Sequence, residues 1–510
     1  MTGKPRYEPT WESLANYEVP EWFRNAKFGI WAHWGPQCQP QRGDWYARGM
    51  YIRGDDRYRE HLEQYGHPSR FGFKDVIHEW KAERWDPQSL MKLYKAAGAE
   101  YFVALANHHD NLDLWESSYQ EWNSTRVGPM RNIVDEWHGA ARKEGLRFGV
   151  SVHASHAWSW YEPAQGSDTE GQLKGVPYDG VLTKEDGVGC WWDGLDPQEL
   201  YAQNHRATPM DANMWSVLKY WEWENGYPAP SKDYCEKFFN RTIELIGRYK
   251  PELVYFDDTV LPLHPVSDVG LRIAAHYYNN HPDAVINGKI LSDLQKKAMV
   301  WDIERGQTSG IESLPWQTCT CLGDWHYKLS IYENDEYKNA AFVIQMLIDV
   351  VSKNGNLLLS VPLRGDGSPD EKEVAILEDI SKWMTVHREC IVGTRPWKIC
   401  GEGPSLMSAK PLTAQGFNEG TAAANTAADL RFICKKDCLY VVALGRPNGK
   451  VDVSSMGKSS IYCDFSVDSI HLVGSDRKLA FDHTSESLTI EFDPDAGNDT
   501  ATVFKITVKR

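Results

Sequence analysis

Through residues 20–395, short apolar runs alternate with longer amphipathic stretches. The runs FGIWAHW (28–34), YFVALAN (101–107), LRFGVSV (146–152), LVYFD (253–257), AVING (284–288), MVWDI (299–303) and NLLLSV (356–361) read as buried strands. They are continuously apolar rather than strictly alternating, as parallel strands covered on both faces are. Helix-period stretches lie between them at 86–97, 130–144, 232–249, 268–280, 335–352 and 369–387. In the first of these, Leu90, Leu93 and Ala97 share one face. Strand then helix, repeated with one strand still to be placed, predicts a TIM-like (β/α)8 barrel. The alternative is a doubly wound open sheet. That fold would bring a glycine-rich phosphate turn after the first strand, and the chain has none there.

The rhythm breaks at two places. A long connection at about 162–231, rich in Gly and Asp, holds Trp191 and Trp192. In a barrel it would follow a strand's C-terminal end and overhang the mouth as a lid or subsite wall. Beyond Thr394-Arg395-Pro396-Trp397 the helical period stops. Alternating runs (LRFIC, CLYVVAL, SIHLVG, LTIEF, VFKITV) then predict an all-β sandwich of about seven strands. The expected division is a barrel over 1–395, interrupted by the insertion, and a β-sandwich over 396–510.

Charge and composition narrow the partners. A formal net charge of −16 argues against nucleic acid or an anionic membrane surface. Twenty-two Trp and 24 Tyr are an unusual load. It suits either an aromatic core or a cleft in which sugar faces stack on rings. The ten Cys form no CxxC pair, so a zinc knuckle is not supported and reduced structural thiols are expected. Cys434 and Cys438 flank a turn and would face each other across a hairpin. The first twenty residues hold no apolar signal core, and no stretch is long and apolar enough for a membrane helix. The expectation is a cytoplasmic protein, or a periplasmic or secreted one whose export signal has been removed. The sequence does not indicate an oligomeric state.

Candidate chemistry collects at strand ends. The LVYF run stops at Asp257 and Asp258, and the VWDI run stops at Glu304. An ionised carboxylate is costly to bury unpaired, so these acids belong where a strand meets a cavity. Two strands delivering carboxylates to one rim is what work on a glycosidic bond requires. Taken singly, each is equally a strand-end acid capping the next turn. Further strand ends carry His33, Asp44 with Trp45, His108 with His109, His153 with His156, and Lys289. Imidazoles both donate and accept hydrogen bonds, which suits sugar hydroxyls. Two other readings use the same residues. One is a divalent-metal hydrolase built on His33, His108, His109, His153 and Asp257. Adjacent histidines on an extended segment point to opposite sides, which argues against it. The other is a non-catalytic carbohydrate-binding protein, which leaves the two strand-end carboxylates unexplained.

The ordered segments FGIWAHWG, DWYARGMY, NHHDNLDLW, LVYFDD, SKNGNLLLSVPLRGDGSPDE and IVGTRPW resemble the α-L-fucosidases of glycoside hydrolase family 29, over roughly residues 20–400. The resemblance implies a TIM-like barrel with a β-sandwich behind it, and retention through a covalent glycosyl-enzyme without metal or other cofactor. It implies an oligosaccharide or glycoconjugate substrate ending in an α-L-fucosyl-type residue. It places the nucleophile at Asp257 and the acid/base at Glu304, with Glu312 as second choice. Sugar binding then falls to His33, Asp44, Trp45, His108 and His109. Tyr255 stands where the family commonly has Trp, and Lys289 where it often has Arg. Trp316, with Trp301 and Tyr255, is expected to form an aromatic pocket wall. Asp258 stands where Gly is frequent, so one of the two acids should be protonated or turned away. Trp316-Gln317 replaces the family's Trp-Glu, and Asp324-Trp325-His326-Tyr327 replaces its SWGY. These changes leave another α-L-glycoside open: an L-galactoside, an L-glucoside or a further 6-deoxy-L-sugar.

Overall fold

The computed structural model describes residues 6–201, 204–205, 229–408, 412, 416–420 and 424–509. Eight parallel strands close a barrel: β1 (Phe28–Ala32), β2 (Tyr101–Asn107), β3 (Arg147–Val152), β4 (Leu253–Phe256), β5 (Val285–Gly288), β6 (Val300–Glu304), β7 (Trp316–Cys321) and β8 (Gly355–Ser360). The ring closes where Phe28 on β1 registers with Leu357 on β8. The strand left unplaced in the sequence is β7, WQTCTC. It has no apolar run because its inward Gln317 is bonded within the barrel rather than packed there.

Side-chain parity sorts the strands into two layers. Trp31, Tyr101, Val103, Leu253, Tyr255, Val285, Val300, Cys319 and Leu358 fill the barrel interior. Their neighbours, such as Val254, Phe256, Ile303 and Trp316, point outward into the larger core under the helices. Those helices include Pro87–Ala96, Ile133–Lys143, Lys232–Tyr249, Val269–Asn280, Ala340–Ser352 and Glu371–His387. Most start on a side-chain cap; Asp86, for instance, accepts the N–H groups of Gln88 and Ser89. The stretch expected as one helix over 335–352 divides into Leu329–Asn334 and Ala340–Ser352. Between β5 and β6 there is only the 3-10 turn Gln295–Lys297, and residues 305–315 join β6 to β7 as a loop.

The C-terminal strands are β9 (Arg395–Glu402), β10 (Leu430–Lys435), β11 (Cys438–Ala443), β12 (Lys450–Val453), β13 (Ser466–Leu472), β14 (Ala480–His483), β15 (Leu488–Glu491) and β16 (Thr502–Lys509). They form a five-stranded sheet, β13-β16-β11-β10-β9, and a three-stranded sheet, β12-β15-β14. Phe432, Val441, Ile470 and Phe504 of one sheet share a core with Val451, Val453, Leu488 and Ile490 of the other. That is a β-sandwich. All ten cysteines are free thiols. Cys438 registers with Lys435 and Cys434 with Leu439, so the two cysteines of that hairpin point to opposite faces and do not meet.

Two contacts tie the sandwich to the barrel. Buried Asp349, on the helix Ala340–Ser352, takes Lys353 at 2.6 Å and Arg431 of β10 at 2.5 Å. The second contact is at the barrel mouth. Gly416 pairs with Glu304, the last residue of β6, and Phe417 N–H donates to the Glu304 carbonyl at 2.7 Å. A Cβ on Gly416 would lie 1.9 Å from that carbonyl oxygen, so only glycine permits the approach. No helix among the described residues is long and apolar enough to cross a membrane.

Candidate active site

Parity decides which of the two adjacent acids faces the barrel axis. Tyr255 points inward and Phe256 outward, so Asp257 continues inward at the C-terminal end of β4. Asp258 turns away and is buried, accepting from Ser155 at 2.8 Å and meeting His156 Nε2 at 2.8 Å. The expected crowding of two carboxylates is resolved by rotation.

Asp257 is held by three side chains. His109 Nε2 lies 3.1 Å from Oδ2, and His153 Nδ1 lies 3.2 Å from the same oxygen, in ion-pair reach but outside hydrogen-bond geometry. The Lys289 ammonium, on the loop after β5, contacts Oδ1. Burial works to raise the Asp257 pKa. The Lys289 charge and the two imidazoles outweigh it and hold the group well below the usual carboxylate range. The same Lys289 Nζ donates to Glu304 Oε2 at 2.6 Å. One ammonium touching both carboxylates limits their nearest oxygens to two hydrogen-bond lengths, about 6 Å apart. The two acids come from different strands, and both stay partly open to solvent, Asp257 at 18% and Glu304 at 13%. Glu312 is ruled out of this group by its position. Its backbone pairs with Lys353 and Asn354, just before β8 begins, at the opposite end of the barrel.

A ring of imidazoles and indoles surrounds the pair. His33, at the end of β1, stands 5.0 Å from the ring of His108, 5.1 Å from His153 and 4.6 Å from His326. Asp44 Oδ1 meets His326 Nδ1 at 2.6 Å, and Gln37 Nε2 meets His108 Nδ1 at 2.8 Å. Trp45 packs edge-on to His109 and Trp160. Burial, with help from neighbouring imidazoles, pushes His33 and His108 well below the ordinary imidazole range. Neutral rings keep one donor and one acceptor each. Both nitrogens of His33, Nε2 of His326 and the indole nitrogens of Trp31 and Trp160 are buried with no hydrogen-bond partner among the described residues. Buried polar groups rarely stay unsatisfied, so this ring is built to meet a polyhydroxylated ligand.

Tyr255 forms the floor, one layer below Asp257. Its hydroxyl donates to Asp302 Oδ2 at 3.1 Å, and burial raises Asp302 to about 6. Gln317 bridges Asp302 and Tyr101 in the same interior layer. Behind β2, Asn107 accepts the N–H groups of His153 and Ala154 at 3.1 and 3.2 Å. Asn107 in turn donates to Asp113, which is forked by Arg241. This chain fixes the backbone that carries the histidines.

Three expectations need correction. Trp316 is not at the pocket. It is the first residue of β7, it registers with Trp301, and both have outward parity. Its indole donates to the Lys353 carbonyl at 2.8 Å, at the closed end of the barrel. Of the expected aromatic wall only Tyr255 faces inward. His108 and His109 do not diverge: β2 ends at Asn107, strand alternation ends with it, and their rings stand 4.5 Å apart. Trp191 and Trp192 are engaged elsewhere. Trp191 stacks on His78 at 4.3 Å, and buried Trp192 takes Lys74 over its face. The aromatic that follows β3 into the mouth is Trp160, which nothing in the apolar pattern singled out. Two groups have donor atoms within 4.8 Å of one another, as metal ligands do: His33, Asp44, His108 and His326, and separately His108, His109 and His153.

A closed parallel barrel with two strand-end carboxylates inside a hydroxyl-matching ring defines a glycoside hydrolase. The chain belongs to the alpha-L-fucosidase family, whose profile matches residues 1–389. It is 27% identical over 415 residues to the tissue alpha-L-fucosidase of Bos taurus, covering 79% of this chain and 75% of that one. It is 24% identical over 408 residues to an alpha-L-fucosidase of Branchiostoma floridae, covering 78% and 77%. The fold is shared with a Thermotoga maritima alpha-fucosidase solved with a mechanism-based inhibitor, at 23% identity and a TM-score of 0.71 over 98% of this chain and 100% of that one. It is shared also with an alpha-L-fucosidase isoenzyme of Paenibacillus thiaminolyticus, at 18% identity and a TM-score of 0.65 over 97% and 100%.

Proposed function

We propose that the protein is a retaining exo-glycosidase that removes terminal α-L-fucosyl-type residues. Asp257 attacks the anomeric carbon while Glu304 protonates the departing glycosidic oxygen, giving a covalent glycosyl-enzyme. Glu304 then takes a proton from water, whose oxygen displaces Asp257. The observation that carries the reading is the shared contact of Lys289 with both carboxylates. Their closeness suits double displacement, for which about 5–5.5 Å is usual, better than inversion, for which about 6.5–9.5 Å leaves room for water. His33, Asp44, Trp45, His108 and His109 hold the sugar. Lys289 and Tyr255 support the site from the side and below.

The unpartnered, fully buried Nε2 of His326 favours a second reading of the sugar. A polar wall suits a hydroxymethyl group, as in an α-L-galactoside or α-L-glucoside, better than the methyl of a 6-deoxy sugar. Release of 4-nitrophenol from the α-L-fucoside, α-L-galactoside and α-L-glucoside, each with and without EDTA, decides between them. The expected result is turnover of an α-L-glycoside that EDTA leaves unchanged. Loss of activity in EDTA would move the histidine groups from sugar binding to metal ligation.

A further inference from the structure

The residue that pairs with the end of β6 comes from beyond the barrel, and its neighbours lock it in place. Asn418 Oδ1 accepts from Gln307 N–H at 2.8 Å, and its Nδ2 donates to the Gln307 carbonyl at 3.1 Å. Glu419 N–H donates to the Arg305 carbonyl at 2.9 Å, while its carboxylate takes Thr320 at 2.7 Å and Arg305 at 3.2 Å. Within this rigid strap Phe417 is 55% exposed and has φ +61°, a left-handed conformation that is an outlier for a bulky residue. A surface site with no task would carry glycine or asparagine there.

A general acid protonates the oxygen that joins the sugar to its leaving group, so the leaving group departs on the acid's side of the site. We propose that Phe417 is the platform for that leaving group, an aglycone subsite supplied to the barrel by the C-terminal domain. Its preferred occupant is a pyranose or aryl ring that stacks on the phenyl face. The proposal rests on the assignment of Glu304 as the acid/base. The occupant follows from continuity with that site, because Phe417 is joined to Glu304 by a backbone hydrogen bond.

Leaving groups of different size separate the subsite from a structural role. With Phe417→Ala, kcat/KM on 4-methylumbelliferyl α-L-fucoside should fall about tenfold, whereas α-L-fucosyl fluoride, which has no ring to stack, should stay within about twofold. Phe417→Tyr should restore the larger substrate. Equal losses on both substrates would make Phe417 a structural residue, and no loss on either would put the subsite elsewhere. Both outcomes overturn the proposal. If the unmodified enzyme is silent on fucosyl fluoride, it is the fucoside reading that has failed. The same pair of leaving groups on L-galactose then carries the comparison.

Discussion

His109 faces oxygen acceptors with both ring nitrogens: Nδ1 lies 2.8 Å from the His153 carbonyl and Nε2 lies 3.1 Å from Asp257 Oδ2. Each nitrogen must carry a hydrogen for both bonds to form, so the ring and the carboxylate share one proton between them. A carboxylate held this way stays ionised into acid, and attack by Asp257 requires that form. Removing the imidazole with His109→Asn takes away a donor that favours the ionised state. The acid limb of the kcat/KM profile should move to higher pH, whatever happens to its height. An unmoved limb would mean that Lys289 alone sets Asp257.

The two neighbouring acids should separate cleanly on substitution. Asp257→Ala should lower kcat at least about a thousandfold while leaving the melting temperature nearly unchanged. Asp258→Ala breaks a buried contact with His156 and Ser155. Breaking such a pair costs about 3–5 kcal/mol, so thermal unfolding should register it before activity does. The opposite order of losses would make Asp258 the nucleophile.

Glu304 is tested by chemical rescue. Glu304→Ala should be slow on aryl glycosides at the deglycosylation step, and azide should restore turnover as a fucosyl azide. Glu312→Ala should need no rescue, because that residue lies at the closed end of the barrel. Rescue at position 312 and none at 304 would reassign the acid/base.

Stability should carry a pH signature from a place remote from catalysis. Glu373, on the helix Glu371–His387, is buried with both carboxylate oxygens unpartnered among the described residues. Burial, with the charge of Asp370 adding to it, raises its pKa well above the ordinary value of 4.5. The folded state therefore keeps a proton that the unfolded chain releases. Stability is full below about pH 4.5 and declines as pH climbs toward the folded pKa. Glu373→Gln should match the parent near pH 4 and melt a few degrees higher at pH 7. A constant offset across that range would contradict it.

The barrel was legible because seven of its strands are buried on both faces and read as apolar runs. β7 was not, since Gln317, Thr318 and Thr320 satisfy their polar groups against Asp302, the Ile303 carbonyl and Glu419. A one-residue parity argument was available for Trp316 and would have turned it outward, but it needed the register with β6. The carboxylates and histidines at strand ends could be named from the chain. Their mutual bonding through Lys289 could not, because Lys289 is joined to Asp257 and Glu304 across three different strands. Trp160 escaped notice for the same reason. It belongs to a short helix beyond β3, and only the closed ring brings it to within 5.7 Å of His109.

The Gly416–Glu304 pairing also sets an order of events. A ribosome finishes β8 well before residue 416 leaves its tunnel, so the barrel closes around an unfinished rim. The edge of β6 beside the candidate acid is completed only when the following domain arrives. Catalytic competence is in that sense the last thing the chain acquires during synthesis. A barrel severed from its sandwich would inherit the two carboxylates without the strand that braces one of them.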